Sequence, residues 1–206
     1  MANDKMKPNQ RLIVAISGAS GAVYGIRALE MLKAADIETH LVVSKAAALS
    51  LEAETELSPG DVQALADVVY KPADIGAAIA SGSFQTLGML IAPCSVKTLG
   101  EITTGVTSSL VSRAADVCLK ERRRLVLMVR ESPLHLGHLR TMTALAEMGA
   151  IILPPVPAFY AAPKTLADLV DQMVGRALDL LGYDWPDMKR WGEDIAKSRR
   201  TKKSKP

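Results

Sequence analysis

Short apolar runs alternate along the chain with longer amphipathic stretches. Residues 11–17 (RLIVAIS) predict a strand buried on both faces that ends in a glycine-rich turn. Over 22–35, Val23, Ile26, Leu29 or Leu32 return to one side at helical spacing, so a helix follows. Next come a strand over 39–44, a helix over 45–55, a short strand over 67–70 and a small helix over 75–80. A strand over 87–92 is expected to stop at Pro93, followed by helices over 96–102 and 107–119. The clearest buried strand is 124–130. A helix over 135–148, a strand over 150–153 ended by Pro154 and Pro155, and a helix over 166–181 complete the pattern.

This β-α alternation predicts an α/β protein of three layers, α/β/α, with a parallel sheet between two sheets of helices. We expect a single domain over 11–192, a flexible segment over 1–10 and a basic, disordered tail over 193–206. In such sheets ligands bind at the carboxyl ends of the strands. The residues after each strand therefore matter most: 17–21, Ser44, 93–98, Arg130 and Glu131, and 154–160.

Length and charge refine this picture. A chain of 206 residues is long enough to bury a full core. Two cysteines, Cys94 and Cys118, point to a reducing compartment rather than a disulfide scaffold. The polar start is neither a leader nor an anchor, and no apolar run approaches bilayer length, so we expect a cytoplasmic protein with no membrane contact. Six of the 25 basic side chains lie in 197–206; the rest of the chain holds 19 basic against 22 acidic residues. The tail lacks aromatic interleaving, so no nucleic-acid partner is expected.

Three stretches carry candidate chemistry. Residues 17–22 (SGASGA) open a helix after a strand. Two readings compete there: an anion cradle of backbone N–H groups, or a tight turn with glycines for packing. The spacing matches neither a dinucleotide fingerprint nor a P-loop. Residues 93–98 (PCSVKT) repeat the arrangement, with Ser95 and Thr98 as helix caps or ligand contacts, and Cys94 as a small apolar filler. Arg130 and Glu131 follow an apolar strand, so they land at the active edge as a phosphate fork and a proton donor, or as an ion pair. Arg122 to Arg124 read as exposed helix-end cations. Phe159, Tyr160 and Trp191 can wall an apolar pocket or pack in the core. His135 and His138 lack a third ligand, so no metal is expected.

Taken together, 16–22 (ISGASGA), 44–47 (SKAA), 92–95 (APCS), 113–117 (RAADV), 120–123 (KERR), 129–131 (VRE) and 155–160 (PVPAFY) resemble the flavin prenyltransferase family. These are UbiX-type proteins, formerly described as phenylacrylic acid or polyprenyl-hydroxybenzoate decarboxylases, and the likeness runs from about Arg11 to Trp191. It implies a flavodoxin-like or Rossmann-like sheet that binds FMN. It also implies a metal-independent transfer of the dimethylallyl group of dimethylallyl phosphate to N5 and C6 of reduced FMN. The product, prenylated FMN, serves a UbiD-type decarboxylase. Trimers building a homo-dodecamer, with active sites at subunit interfaces, are implied too.

Carried over by position, Gly18, Ala19, Ser20, Ser44, Ser95, Val96, Lys97, Thr98 and Arg130 match flavin-binding positions. Ser20 and Glu54 match a pair near flavin N5 that relays a proton. Lys120, Arg130, Glu131, Tyr160 and Arg176 match the surroundings of dimethylallyl phosphate, with Lys120 and Glu131 catalytic. Arg113 matches a further basic position, and Trp191 an aromatic that closes over the site. The sequence departs from the family where Arg124 replaces a frequent proline and in the added basic tail. The rivals are a flavin-dependent cysteine decarboxylase, whose His and Asn-Met motif has no counterpart here, and a non-catalytic flavin carrier.

Overall fold

In the computed structural model, which describes residues 10–193, the elements run in chain order as β1 (Arg11–Ile16), α1 (Ala22–Ala34), β2 (Glu38–Val43), α2 (Lys45–Glu54), α3 (Pro59–Gln63), β3 (Val68–Tyr70), β4 (Gly88–Cys94), α4 (Val96–Thr104), α5 (Leu110–Lys120), β5 (Arg124–Val129), α6 (Leu136–Glu147), β6 (Ile151–Ile152) and α7 (Leu166–Leu180). Single 3₁₀ turns occupy Ala78–Ala80 and Phe159–Ala161. The expected tails, 1–10 and 193–206, fall outside the described residues except for Gln10 and Glu193.

Strand alternation divides the core into two layers. On β1, Leu12, Val14 and Ile16 face one side, and Ile13 and Ala15 the other; all five are buried. The β5 residues Val126 and Met128 likewise oppose Leu125, Leu127 and Val129. Helices α1, α2, α3 and α7 cover the first face, and α4, α5 and α6 the second, which is the expected three-layer arrangement. Burial on both faces is why these strands read as continuous apolar runs.

Among the described residues the strands form one parallel sheet in the order β3-β2-β1-β4-β5-β6. The order reverses between β1 and β4, and at such a switch point neighbouring loops diverge and leave a crevice. The loops after β1, β2, β4 and β5 all rise at this carboxyl edge.

Several boundaries differ from expectation for identifiable reasons. The strand expected to stop at Pro93 continues through a cis Ala92–Pro93 bond to Cys94. Its ladder to β5 shifts register between Ile91 and Cys94, and an irregularity of this kind is where a strand tolerates a residue without an N–H. The helix expected over 75–80 shrinks to one 3₁₀ turn. Ser109 and His135 cap α5 and α6, so each starts after its cap rather than at 107 or 135. Pattern reading missed α3, whose Ser58–Asp61 capping box holds a helix too short to show periodicity.

Candidate active site

Helices α1, α2 and α4 begin at the carboxyl edge, and their starts are satisfied differently. The Ser44 hydroxyl caps α2 by accepting the Ala47 amide at 3.1 Å. The Ser95 hydroxyl caps α4, accepting the Thr98 amide at 3.3 Å and lying 3.1 Å from the Thr98 hydroxyl. Ser17 staples the two loops at the switch point. Its hydroxyl donates to the Pro93 carbonyl at 2.9 Å and accepts the Ser95 amide at 2.8 Å. Ser17, Ser95 and Thr98 are all buried, so this junction is prearranged.

The start of α1 has no such hydroxyl. Its cap is Gly21, at φ 105°, a conformation that favours glycine. The cap comes instead from Glu54, at the end of α2, whose carboxylate accepts the Gly21 and Ala22 amides at 2.8 and 3.0 Å. Burial works to raise the Glu54 carboxyl. The Gly21 amide, the Ser20 hydroxyl, the Ala22 amide and the Arg130 charge outweigh it and hold the group below its ordinary value. An external phosphate on these two amides would meet a carboxylate already in place. The anion cradle expected over 17–22 is therefore filled from within the chain.

An open cleft of about 1030 Å³ adjoins this cap, lined among others by Ser20, Tyr24, Glu54, Arg130, Pro155 and Leu166. Val23, Ile26 and Val170 give it an apolar wall between α1 and α7. Arg27 closes that wall, bonded to Asp171 at 2.6 and 3.1 Å and to Glu30 at 2.9 Å. Burial raises the Tyr24 hydroxyl, and the positive charge of Arg130 opposes it. The donor set suits FMN. Serine-capped helix starts match an anionic phosphate, while a half-apolar cleft holding a guanidinium and a capped, neutralised helix start matches the ring system.

Not every candidate residue reaches this cleft within one chain. Ser20, Glu54 and Arg130 line it; Gly18 and Ala19 precede Ser20 in the loop after β1; Ser44, Ser95, Val96 and Thr98 mark the starts of α2 and α4 at the same edge of the sheet. Lys97 turns outward toward Glu101, with its side chain 76% exposed. Glu131 follows Arg130 and accepts the Ser132 amide at 3.0 Å. Arg113 is paired with Asp116 at 2.8 Å. Arg176 pairs with Asp179, ten residues along α7 from Leu166, a rise of about 15 Å. Tyr160 and Trp191 meet edge to face with ring centroids 5.5 Å apart. Both are exposed, as is Phe159, so within this chain they wall nothing. Lys120 lies farthest away: it precedes β5 while Arg130 follows it, and six strand residues span about 20 Å.

Other expectations resolve locally. Cys94 and Cys118 are buried and free, and desolvation pushes the Cys94 thiol well up and the Cys118 thiol to about 12. His135 caps α6 through Nδ1 and stacks on His138 at 3.6 Å. Pro155, from the 154–160 loop expected at the ligand edge, does line the cleft, whereas Tyr24 and Arg27 went unnoticed. The helical spacing of Val23, Arg27 and Glu30 on one face was the available signal.

Comparison with known proteins completes the description. Residues 1–178 match the Flavoprotein family. The chain is 59% identical over 185 residues to the flavin prenyltransferase UbiX of Escherichia coli strain K12, covering 88% of this chain and 98% of that one. The structure of AnUbiX (PadA1) in complex with FMN and dimethylallyl pyrophosphate is similar at TM-score 0.87 and 50% identity, covering 88% of this chain and 97% of that one. A dodecameric FMN-dependent UbiX-like decarboxylase from Escherichia coli O157:H7 matches at TM-score 0.85 and 50% identity, covering 88% and 98%.

Proposed function

This chain belongs to the UbiX family of flavin prenyltransferases, and from that membership we infer the reaction its carboxyl-edge cleft carries out. The protein joins the dimethylallyl group of dimethylallyl phosphate to N5 and C6 of reduced FMN. Phosphate leaves, and prenylated FMN is the product, the cofactor of UbiD-type decarboxylases. The observation that carries this reading is the end-to-end likeness to a named flavin prenyltransferase, which sets aside the decarboxylase and carrier alternatives.

Reduced FMN supplies the two nucleophilic ring positions when bound. The chain's own residues supply the rest. Ser44 and the 95–98 turn hold the flavin phosphate at the starts of α2 and α4, and Gly18, Ala19, Ser20 and Arg130 orient the ring. Glu54, ionised and fixed by two amides, takes a proton through the Ser20 hydroxyl. Arg130 and Tyr160 bind the donor phosphate, Arg176 joins them from another copy of the chain, and Glu131 gives the phosphate a proton as it departs. The apolar wall of the cleft keeps water from an allyl cation, and Trp191 closes over it.

Lys120 and Arg113 serve this site from another copy of the chain. Lys120 stands about 20 Å from its own Arg130, a strand length that no side chain spans. Exposed Leu134, Leu136, Leu139, Val156, Phe159 and Trp191 fit surfaces that assembly covers. We assign trimers within a homo-dodecamer, like that of the similar E. coli protein, with active sites at the subunit interfaces. No helix among the described residues is long and apolar enough to cross a membrane. Two buried, unpaired cysteines support a cytoplasmic location.

Anaerobic incubation with reduced FMN and dimethylallyl phosphate, read by mass spectrometry of the flavin, tests the reading. A gain of one C5H8 unit, absent without protein, is expected. Flavin that stays bound but unchanged would overturn it in favour of a carrier or a decarboxylase.

A further inference from the structure

At the amino edge of the sheet, opposite the cleft, Arg123 holds a turn in place. Its guanidinium donates to the Gly82 and Phe84 carbonyls, each at 2.6 Å. The Arg123 amide is itself fixed on the Cys118 carbonyl at 2.8 Å, so the anchor grows out of the end of α5. Within the turn, the Ser81 and Ser83 hydroxyls lie 2.9 Å apart, and the Ser83 amide donates to Ser81 Oγ at 3.3 Å. Leu87 is bonded to the Arg11 carbonyl at 2.8 Å, which ties the far end of the segment to β1.

Lys120 rests against this turn. A β-carbon on Gly82 would stand 2.7 Å from Lys120 Nζ and would also strike the Glu121 carboxylate that pairs with it. Glycine at 82 therefore lets the turn and the ammonium share one small volume. A lysine on its own is a flexible stem that loses rotamer freedom whenever it is held in one place. Here the ion pair with Glu121, set beside the Gly82 backbone, holds it beforehand. Arg113 lies two helical turns before Lys120 on α5, so both cations share one face of that helix.

We propose that Arg123 is a positioning residue for the donor's phosphate, pressing the 81–83 turn against Lys120 so that turn and ammonium enter a neighbouring copy's cleft as one preset piece. This rests on the reading above that a second copy supplies Lys120.

The test is calorimetric titration of dimethylallyl phosphate onto the assembled protein loaded with oxidised FMN, which lacks the nucleophilic form and so reports binding without turnover. Arg123→Lys keeps the charge but loses the planar fork whose two terminal nitrogens each hold one carbonyl; it is expected to weaken donor binding about tenfold. Gly82→Ala should do the same by displacing Lys120, and it carries the test if Arg123→Lys does not fold. FMN affinity and the mass of the assembly should stay as in the native protein. Native donor affinity in both variants would overturn the proposal. So would parallel losses of donor binding, FMN binding and assembly, which would make Arg123 merely structural. Native protein that binds the donor but never transfers it would sink the reaction and leave the positioning role standing; native protein that binds no donor would overturn both.

Discussion

The starts of α1 and α4 lie on either side of the switch point, yet they are finished in opposite ways. Helix α4 is capped by its own Ser95 hydroxyl, a neutral group that leaves the positive end of the helix dipole free to attract an anion. Helix α1 is capped by a full negative charge from Glu54, 33 residues away in sequence. Both solutions satisfy backbone amides, but only one leaves an electrostatic vacancy. One edge thus offers a seat for a phosphate at α4 and a neutralised seat for a flat polar ring at α1.

Inverting this difference has the largest expected effect. Ser95→Asp preserves the cap, because aspartate caps as well as serine, but it puts a charge where the phosphate belongs. FMN affinity should fall about 100-fold, with little change in thermal midpoint. Undiminished affinity, measured by flavin fluorescence, would place the phosphate elsewhere. Removing the charge at α1 comes next. Glu54→Gln keeps an acceptor for the two amides, so FMN should still bind within about a factor of two. Prenyl transfer should slow by about 10- to 100-fold.

The same variant sharpens the comparison through pH. The folded Glu54 value is lowered, so its contribution to stability is complete above the ordinary carboxylate value and fades as pH falls through the lowered one. Thermal midpoints should therefore drop more steeply with acid in the native protein than in Glu54→Gln, and equal slopes would deny Glu54 its capping role. The smallest effect belongs to the neutral caps. Ser44→Ala should cost about 1 kcal/mol of stability in urea titration, with FMN affinity reduced only a few-fold.

The layers were legible because buried parallel strands advertise themselves as apolar runs, and β5 did so most clearly. Glycine and serine after β1 and β4 marked the correct edge for the same reason: a helix start needs small or capping residues. The identity of the α1 cap was not legible, since nothing local links Glu54 to Gly21; only the fold of α2 across the edge brings them together. Pro93 misled because a proline usually ends a strand, and the irregular ladder that accommodates it leaves no trace in sequence. Arg122 to Arg124 looked like one block of solvated charge. The structure separates them: Arg123 turns inward onto two carbonyls. Lys120 and Arg130 both match positions around the donor phosphate, yet β5 runs between them and keeps them apart within one chain.

The two enclosed thiols have a consequence for the life of the protein. Reduced flavin reacts with oxygen to release peroxide, so a catalyst that handles it works beside its own oxidant. Peroxide attacks thiolates, and Cys94 and Cys118 are held protonated and away from solvent by the packing that surrounds them. The core thereby protects its sulfur, at the end of β4 and within α5, from oxidation without becoming a redox fuse.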